Sequence, residues 1–263
     1  MAQAIISPLL DRGVYQADQI FGVVGRHSTV ISVLKQLPVG LQVVDANDLN
    51  AGKVWNTPLK LLSVKPQQLN QIKESFENQK KQPCSSKPLL ISILAGVKLE
   101  RLSDLFPCHT CVRAVPNTPS LIGKGLTGLS WGEDITDVEK QKAIEIFEPI
   151  SEVFDLPEEQ LDAFLALTSS GPAYVALIAE ALADGAVAAG LPRSLAYSLS
   201  NRTLLGSAAL LEEKGLYPGE LKDMVASPAG TTIRALRHLE KAGVRSAFIE
   251  AVVLAAERSR QLA

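Results

Sequence analysis

Short apolar segments alternate with helical segments through the first 155 residues, and this alternation restricts the fold more than any other feature of the sequence. The apolar segments lie at residues 20–24, 41–44, 59–64, 89–94 and 111–115. Because they are apolar rather than alternating, we expect them to form strands that are buried on both faces. Such strands, joined by helices, are typical of a parallel sheet covered on both sides. The sequence therefore predicts an α/β fold with a doubly wound N-terminal sheet.

The segments between these strands have the length and spacing of helices. They lie at residues 2–12, 28–37, 67–79 and 98–106, with a helical turn at 45–51 and a polar loop at 79–87. Two further strands, at 125–131 and 151–154, flank a helix at 137–147. We place the end of this domain at residue 157, so that it spans residues 1–157.

The remainder of the chain, residues 158–263, predicts helices only. They are expected at residues 158–167, 171–189, 193–213, 218–225, 231–242 and 244–262. The segment from Leu167 to Gly190 is nearly all small or apolar, and only Glu180 and Asp184 carry charge. A helix that is apolar on every side is buried on every side. We therefore expect it to pack both inside its own domain and against a partner subunit.

Composition excludes several classes of function. The 263 residues carry a formal net charge of −2 without a basic block, which argues against binding to nucleic acid. No apolar run approaches the ~18 residues of a membrane span, and no secretory signal is visible. Three cysteines, an odd number, favour a reducing compartment, so we predict a cytoplasmic protein. Cys108 and Cys111 have CxxC spacing but enter a strand and lack a second pair, so we predict neither a redox site nor a metal site.

Three consecutive predicted strands are followed by loops of rigid or small residues. These loops are Val64-Lys65-Pro66, Ala95-Gly96 and Pro116-Asn117-Thr118-Pro119. A doubly wound sheet binds its ligand at the carboxyl ends of its strands. Each loop alone has the composition of an ordinary turn. Three in succession favour the rim of a cofactor site.

The expected dinucleotide fingerprint is only partly present. The sequence contains no Gly-rich turn between a first strand and the helix at residues 2–12. In NAD-binding domains, an acidic residue about 20 positions after the glycines binds the adenosine ribose. Here that region contains Arg26 and Ser28 and no carboxylate, which suits a 2′-phosphate and favours NADP over NAD. The alternative, that Arg26 is a solvated loop cation, has equal weight on spacing alone.

A run of small and hydroxylated residues opens the helix predicted at residues 231–242. It reads Ser227-Pro228-Ala229-Gly230-Thr231-Thr232. Exposed amides and hydroxyls at a helix N-terminus suit a carboxylate ligand. The alternative is that these residues only cap the helix. Capping needs one hydroxylated residue, so the second threonine slightly favours a ligand site.

Four stretches together carry a resemblance to one enzyme family. They are Val115 to Pro119, Asp162 to Pro192, Tyr217 to Asp223 and Ser227 to Thr232, and the tail from Leu239 to Arg258 also fits. In these residues the chain resembles pyrroline-5-carboxylate reductase, which catalyses the last step of proline biosynthesis. The resemblance implies a Rossmann-like N-terminal domain, an all-helical C-terminal dimerisation domain, and a homodimer that often assembles further. It also implies NADPH-dependent reduction of pyrroline-5-carboxylate, at a site that joins the cofactor domain of one subunit to helices of the other.

The resemblance also implies roles for individual residues. Those expected to contact the adenosine phosphate and ribose are Arg26, His27, Ser28 and Asn56. Those expected to line the nicotinamide side are Val64, Lys65, Pro66, Ala95, Gly96, Pro116, Asn117 and Thr118. The substrate-binding residues would be Ser227, Ala229, Gly230, Thr231 and Thr232, and Thr232, as the catalytic residue, would bond the ring nitrogen.

The sequence departs from the family at its start, where the central first strand and its Gly-rich turn are absent. Without that strand, the strands beside it would lose a ladder partner. Either the native chain starts earlier, or cofactor binding is weakened. Two alternatives follow: a non-catalytic homologue that keeps the dimerising helices, or a reductase of another cyclic imine or β-hydroxyacid. NADH remains an alternative cofactor. The family's Pro-Gly-Gly also becomes Pro228-Ala229-Gly230, and alanine does not adopt every glycine conformation.

Overall fold

A computed structural model describes residues 2–37, 40–79 and 87–261 of the chain. Most of the polar loop predicted at residues 79–87 lies outside the described residues. The chain divides into two compact units, one of Met1–Ser169 with Ala256–Ala263 and the other of Ser170–Ala255.

Within the described residues, seven strands form the sheets of the first unit. They are β1 (Phe21–Val24), β2 (Gln42–Asp45), β3 (Leu59–Leu62), β4 (Leu89–Ser92), β5 (Thr110–Val115), β6 (Gly125–Trp131) and β7 (Ser151–Asp155). β1 pairs with β2 in one sheet, and the other sheet has the order β3-β4-β5-β6-β7. β3, β4 and β5 are parallel, as the apolar strand segments predict. The predicted α/β class is confirmed.

β6 breaks the parallel arrangement, because it runs antiparallel to β5. The connection between these two strands holds only a short 3-10 helix, Thr118–Ile122. A parallel pair needs a crossover of a dozen or more residues, and this connection is shorter. β7 then returns parallel to β6 after the helix Asp137–Phe147.

Among the described residues the strands form two sheets rather than one. β1 and β3 each have a hydrogen-bonded neighbour on one side only. The loss of a ladder partner that we expect from the sequence is therefore observed among the described strands. The consequence is that the carboxyl ends of β1 and β3 belong to different sheets of the same unit.

The described part of the first unit contains six α-helices that pack around its sheets. They are α1 (Ala2–Asp11), α2 (His27–Leu34), α3 (Leu69–Gln79), α4 (Leu99–Leu105), α5 (Asp137–Phe147) and α6 (Leu161–Thr168). On one face of the larger sheet, Leu89 and Ile91 belong to a core with α1 and α5. On the other face, Leu90 belongs to a core with α3 and α4. Successive strand residues point to opposite faces, so this alternation buries the strand on both sides.

The second unit is helical, as predicted. Its helices are α7 (Gly171–Ala188), α8 (Arg193–Lys214), α9 (Pro218–Val225), α10 (Thr231–Lys241) and α11 (Val244–Gln261), whose last turns return to the first unit. The apolar helix α7 is not buried on every side within one chain. Val175, Leu177 and Leu182 are exposed, and Ala183 is its one buried residue. Its apolar faces therefore need a covering surface beyond the single chain.

One stretch, Glu158–Ala188, is long and apolar enough to cross a membrane by length and composition. It consists of two separate helices, α6 and α7, with Ser169 and Ser170 between them. Leu161 and Ala166 of α6 are fully buried in the first unit. A single stretch of this kind is weak evidence for a membrane span.

Candidate active site

The three loops predicted to line the nicotinamide side follow neighbouring strands. Val64-Lys65-Pro66 follows β3, Ala95-Gly96 follows β4, and Pro116-Asn117-Thr118 follows β5. Because β3, β4 and β5 are parallel, their carboxyl ends meet at one edge of the sheet. The structure therefore brings these residues together at the position where such sheets bind ligands.

Backbone conformation shapes each of these loops. Gly96 has φ 74°, a left-handed conformation that glycine adopts without strain. Pro66 sits at the start of a short 3-10 helix, and the Lys65 amide donates a hydrogen bond to Gln68 Oε1 at 3.2 Å. Ala95 and Thr118 are exposed, whereas Gly96 and Asn117 are buried. The exposed members leave part of this edge open to a ligand.

Arg26, His27 and Ser28 lie at the carboxyl end of β1, where α2 begins. The ring Nδ1 of His27 is 3.2 Å from Oδ2 of Asp45, the last residue of β2. Arg26 is exposed, and its backbone is extended at the first position before α2. A cation beside a helix N-terminus is suited to an anionic group such as a phosphate.

The loop after β1 approaches the 3-10 helix Pro66–Gln68 after β3, although the two strands belong to different sheets. A side chain at Gly25, the residue before Arg26, would come within 3.9 Å of Gln68 Nε2. Asn56, at the end of the 3-10 helix Ala51–Asn56, is exposed. That 3-10 helix packs against β1, the strand that Arg26 follows.

The predicted substrate loop lies in the helical unit, between α9 and α10. The Gly230 amide donates to the Ser227 carbonyl at 3.0 Å and closes a turn. Ala229 has φ 56°, a left-handed conformation that costs an L-residue roughly 1–2 kcal/mol. Strain of this kind is concentrated at functional sites. α10 begins at Thr231 without a side-chain cap, so its first amides stay available to a carboxylate.

A buried ionic cluster was not predicted as part of the fold. Arg113, 1% exposed, donates hydrogen bonds to Glu158 Oε1 and Asp162 Oδ1, both at 3.2 Å. The Ser259 hydroxyl donates to the same Asp162 oxygen at 2.7 Å. Asp162, in the first turn of α6, is therefore a buried partner of Arg113 rather than a surface carboxylate. The signal was an arginine inside an apolar strand, because a buried charge requires a partner.

The fold and these loops define a class of protein: a Rossmann-like dinucleotide-binding domain followed by a helical domain. Residues 158–262 match the sequence model of the pyrroline-5-carboxylate reductase dimerisation domain. The pyrroline-5-carboxylate reductase of Synechocystis sp. is 41% identical over 262 residues, which cover 100% of this chain and 94% of that protein. The chain belongs to the pyrroline-5-carboxylate reductase family.

Solved structures agree with this assignment. A pyrroline-5-carboxylate reductase from Coxiella burnetii superposes with a TM-score of 0.83 at 30% identity, covering 100% of this chain and 94% of that one. The Plasmodium falciparum pyrroline carboxylate reductase, which has NADP bound, shares the fold with a TM-score of 0.85 at 24% identity, covering 99% and 93%.

Proposed function

We propose that this chain reduces L-1-pyrroline-5-carboxylate to L-proline with NADPH, the last step of proline biosynthesis. The observation that carries the proposal is the uncapped N-terminus of α10, held behind the strained turn at Ala229. It offers backbone amides to a small carboxylate in a family whose named members act on pyrroline-5-carboxylate.

The residues of the first unit fit a nicotinamide dinucleotide. The carboxyl edge of β3, β4 and β5 would take the nicotinamide, and the end of β1 would take the adenosine half. Arg26, with Ser28, would pair with a 2′-phosphate, which favours NADPH over NADH. NADP is also the ligand bound in the Plasmodium structure of the same fold. When bound, NADPH supplies the hydride.

The substrate needs little acid–base chemistry from the protein. Its cyclic imine is already an electrophile when protonated, so holding it in place supplies most of the rate enhancement. The amides of Ala229, Gly230 and Thr231, with Ser227, would bind the carboxylate. The Thr232 hydroxyl, half-buried in the first turn of α10, would hydrogen-bond the ring nitrogen.

The remaining assignments belong to the same proposal. Asn56 would contact the adenosine ribose, and the three loops ending β3, β4 and β5 would line the nicotinamide. The functional domains are residues 1–157 and 158–263, the second of which dimerises. We propose a cytoplasmic homodimer that assembles further, with neither nucleic acid nor membrane as a partner.

The test is an initial-rate assay on the purified full chain. NADPH oxidation that depends on pyrroline-5-carboxylate, with proline recovered in equal amount, supports the function. Micromolar NADPH binding without proline formation points to a reductase of another imine. Absence of both contradicts the proposal and favours the non-catalytic homologue.

A further inference from the structure

Asn117 lies in the loop at the end of β5, yet both ends of its side-chain amide are engaged inside the protein. Nδ2 donates to the Thr168 carbonyl at 2.9 Å, and Oδ1 accepts from the Leu126 amide at 2.9 Å. The two partners fix the orientation of the amide, because one is an acceptor and the other a donor. Asn117 is 4% exposed. Its side chain is therefore used within the protein, and little of it is left for a ligand.

The two bonds join three elements at one point. Leu126 lies at the start of β6, and Thr168 is the last residue of α6. The Ser169 hydroxyl adds a bond to the Pro116 carbonyl at 3.3 Å. The loop that follows β5 is thereby tied to β6 on one side and to the end of α6 on the other.

α6 is also fastened to β5 near its other end. Arg113 of β5 bonds Asp162, in the first turn of α6, and Ser259 bonds the same carboxylate. This second attachment lies away from the loop, at the interior of the strand. The chain therefore offers two attachments of one helix to one strand, of which only that at Asn117 involves the loop of the proposed nicotinamide site.

We propose that Asn117 is a positioning residue for hydride transfer: it sets the Pro116–Thr118 loop against β6 and α6 without itself binding the cofactor. The inference rests on the proposed function. It predicts that removing the amide misplaces the nicotinamide edge, which lowers turnover, while the contacts that hold the adenosine half are kept.

The experiment compares Asn117→Ala and Asn117→Asp with Ser259→Ala, the matched control that weakens the other attachment of α6. Asn117→Asp keeps the acceptor for Leu126 but sets a carboxylate against the Thr168 carbonyl, whereas Asn117→Ala removes both bonds without burying a charge. Each provides a folded variant if the other does not fold. Melting temperature, the Kd for NADPH, kcat and KM are measured for each.

We expect Asn117→Ala and Asn117→Asp to lower kcat by about tenfold or more, with the Kd for NADPH changed by less than about threefold. Ser259→Ala should lower the melting temperature and leave kcat within about twofold of the parent. The proposal is overturned if kcat of both Asn117 variants stays within twofold of the parent. It is equally overturned if they lose NADPH affinity in proportion to kcat, which would make Asn117 a cofactor ligand.

Failure of the proposed function has a different signature, because the parent chain would then show no turnover at all. In that case hydrogen exchange at the Leu126 amide decides the positioning claim. Faster exchange across residues 116–126 in Asn117→Ala, but not in Ser259→Ala, supports it, and unchanged exchange contradicts it.

Discussion

The Ser227 hydroxyl fills the space in which a side chain at Gly230 would lie. A Cβ atom at residue 230 would collide with Ser227 Oγ and come within 3.1 Å of the Ser227 carbonyl oxygen. The turn from Ser227 to Gly230 lies directly before α10, which begins at Thr231. Gly230 is therefore required for the shape of the proposed carboxylate loop rather than for a left-handed φ, since its own φ is −74°.

Gly230→Ala should raise KM for pyrroline-5-carboxylate by about tenfold, because the methyl group must displace the Ser227 hydroxyl, one of the proposed carboxylate ligands. The Kd for NADPH should not change, since the substitution lies in the other unit. Steady-state kinetics with each substrate varied in turn measures both. Gly219→Ala is the matched control, because a Cβ there meets nothing within 4 Å and alanine is favoured in a helix. Equal KM values for the two variants would refute the role of the loop.

Thr232→Ala should lower kcat by about tenfold or more and leave NADPH affinity unchanged, because the hydroxyl orients the ring nitrogen. Thr232→Ser keeps the hydroxyl and should retain most of the turnover. Stopped-flow and equilibrium titration separate the two quantities. Unchanged turnover in Thr232→Ala would remove the residue from the mechanism.

Arg26→Ala should raise KM for NADPH by about tenfold and leave KM for NADH nearly unchanged, because only NADPH carries the 2′-phosphate. The difference should shrink at high salt, since Arg26 is exposed. Lys35→Ala, at an exposed cation after the same helix, is the control and should affect neither cofactor. An equal rise in KM for NADPH and NADH in Arg26→Ala would show that the residue contacts the part shared by both cofactors. An unchanged KM for both would show that Arg26 is a solvated cation.

His109 is buried among Trp55, Phe76 and Phe106, with ring centroids 5.1–6.1 Å away. Burial, followed by the charge of Lys60, lowers the pKa of His109 from 6.5 to about 4. The folded protein thus keeps the ring neutral at a pH where the unfolded chain protonates it. Stability should therefore be full above pH 6.5 and fall as the pH drops from 6.5 towards 4, by a total on the order of 3 kcal/mol.

Urea unfolding between pH 4 and pH 8 measures this dependence. His109→Phe, which suits the aromatic surroundings, should flatten it within that window. His238→Gln changes an exposed histidine and should leave the slope as it is. A slope that persists in His109→Phe would assign the acid sensitivity to other groups.

The positions of the elements follow from the sequence because strand and helix periodicities are local. β6, α5 and α9 begin and end at the predicted residues, and most other boundaries differ by one to three residues. The antiparallel direction of β6 was not predicted, although the connection between β5 and β6 is shorter than a parallel crossover requires. The carboxyl-edge loops were predicted because parallel strands place their ends together.

Contacts between side chains far apart in the sequence could not be predicted from local sequence patterns. Arg113 and Asp162 are 49 residues apart, and Asn117 and Thr168 are 51 apart. Likewise the left-handed φ of Ala229 is opposite to what alanine favours, so the turn geometry around it overrides the residue's preference. The sequence-based role of Asn117 as a nicotinamide contact came from resemblance, whereas its hydrogen bonds suggest that it holds the loop.

The most direct test of the central claim follows the hydride itself. The full chain is incubated with pyrroline-5-carboxylate and NADPH that carries deuterium at the transferable position, and the product is analysed by mass spectrometry. The account predicts proline with one deuterium, at the ring carbon that formed the imine. Proline without deuterium, or no proline while the chain remains folded and binds NADPH, would contradict it.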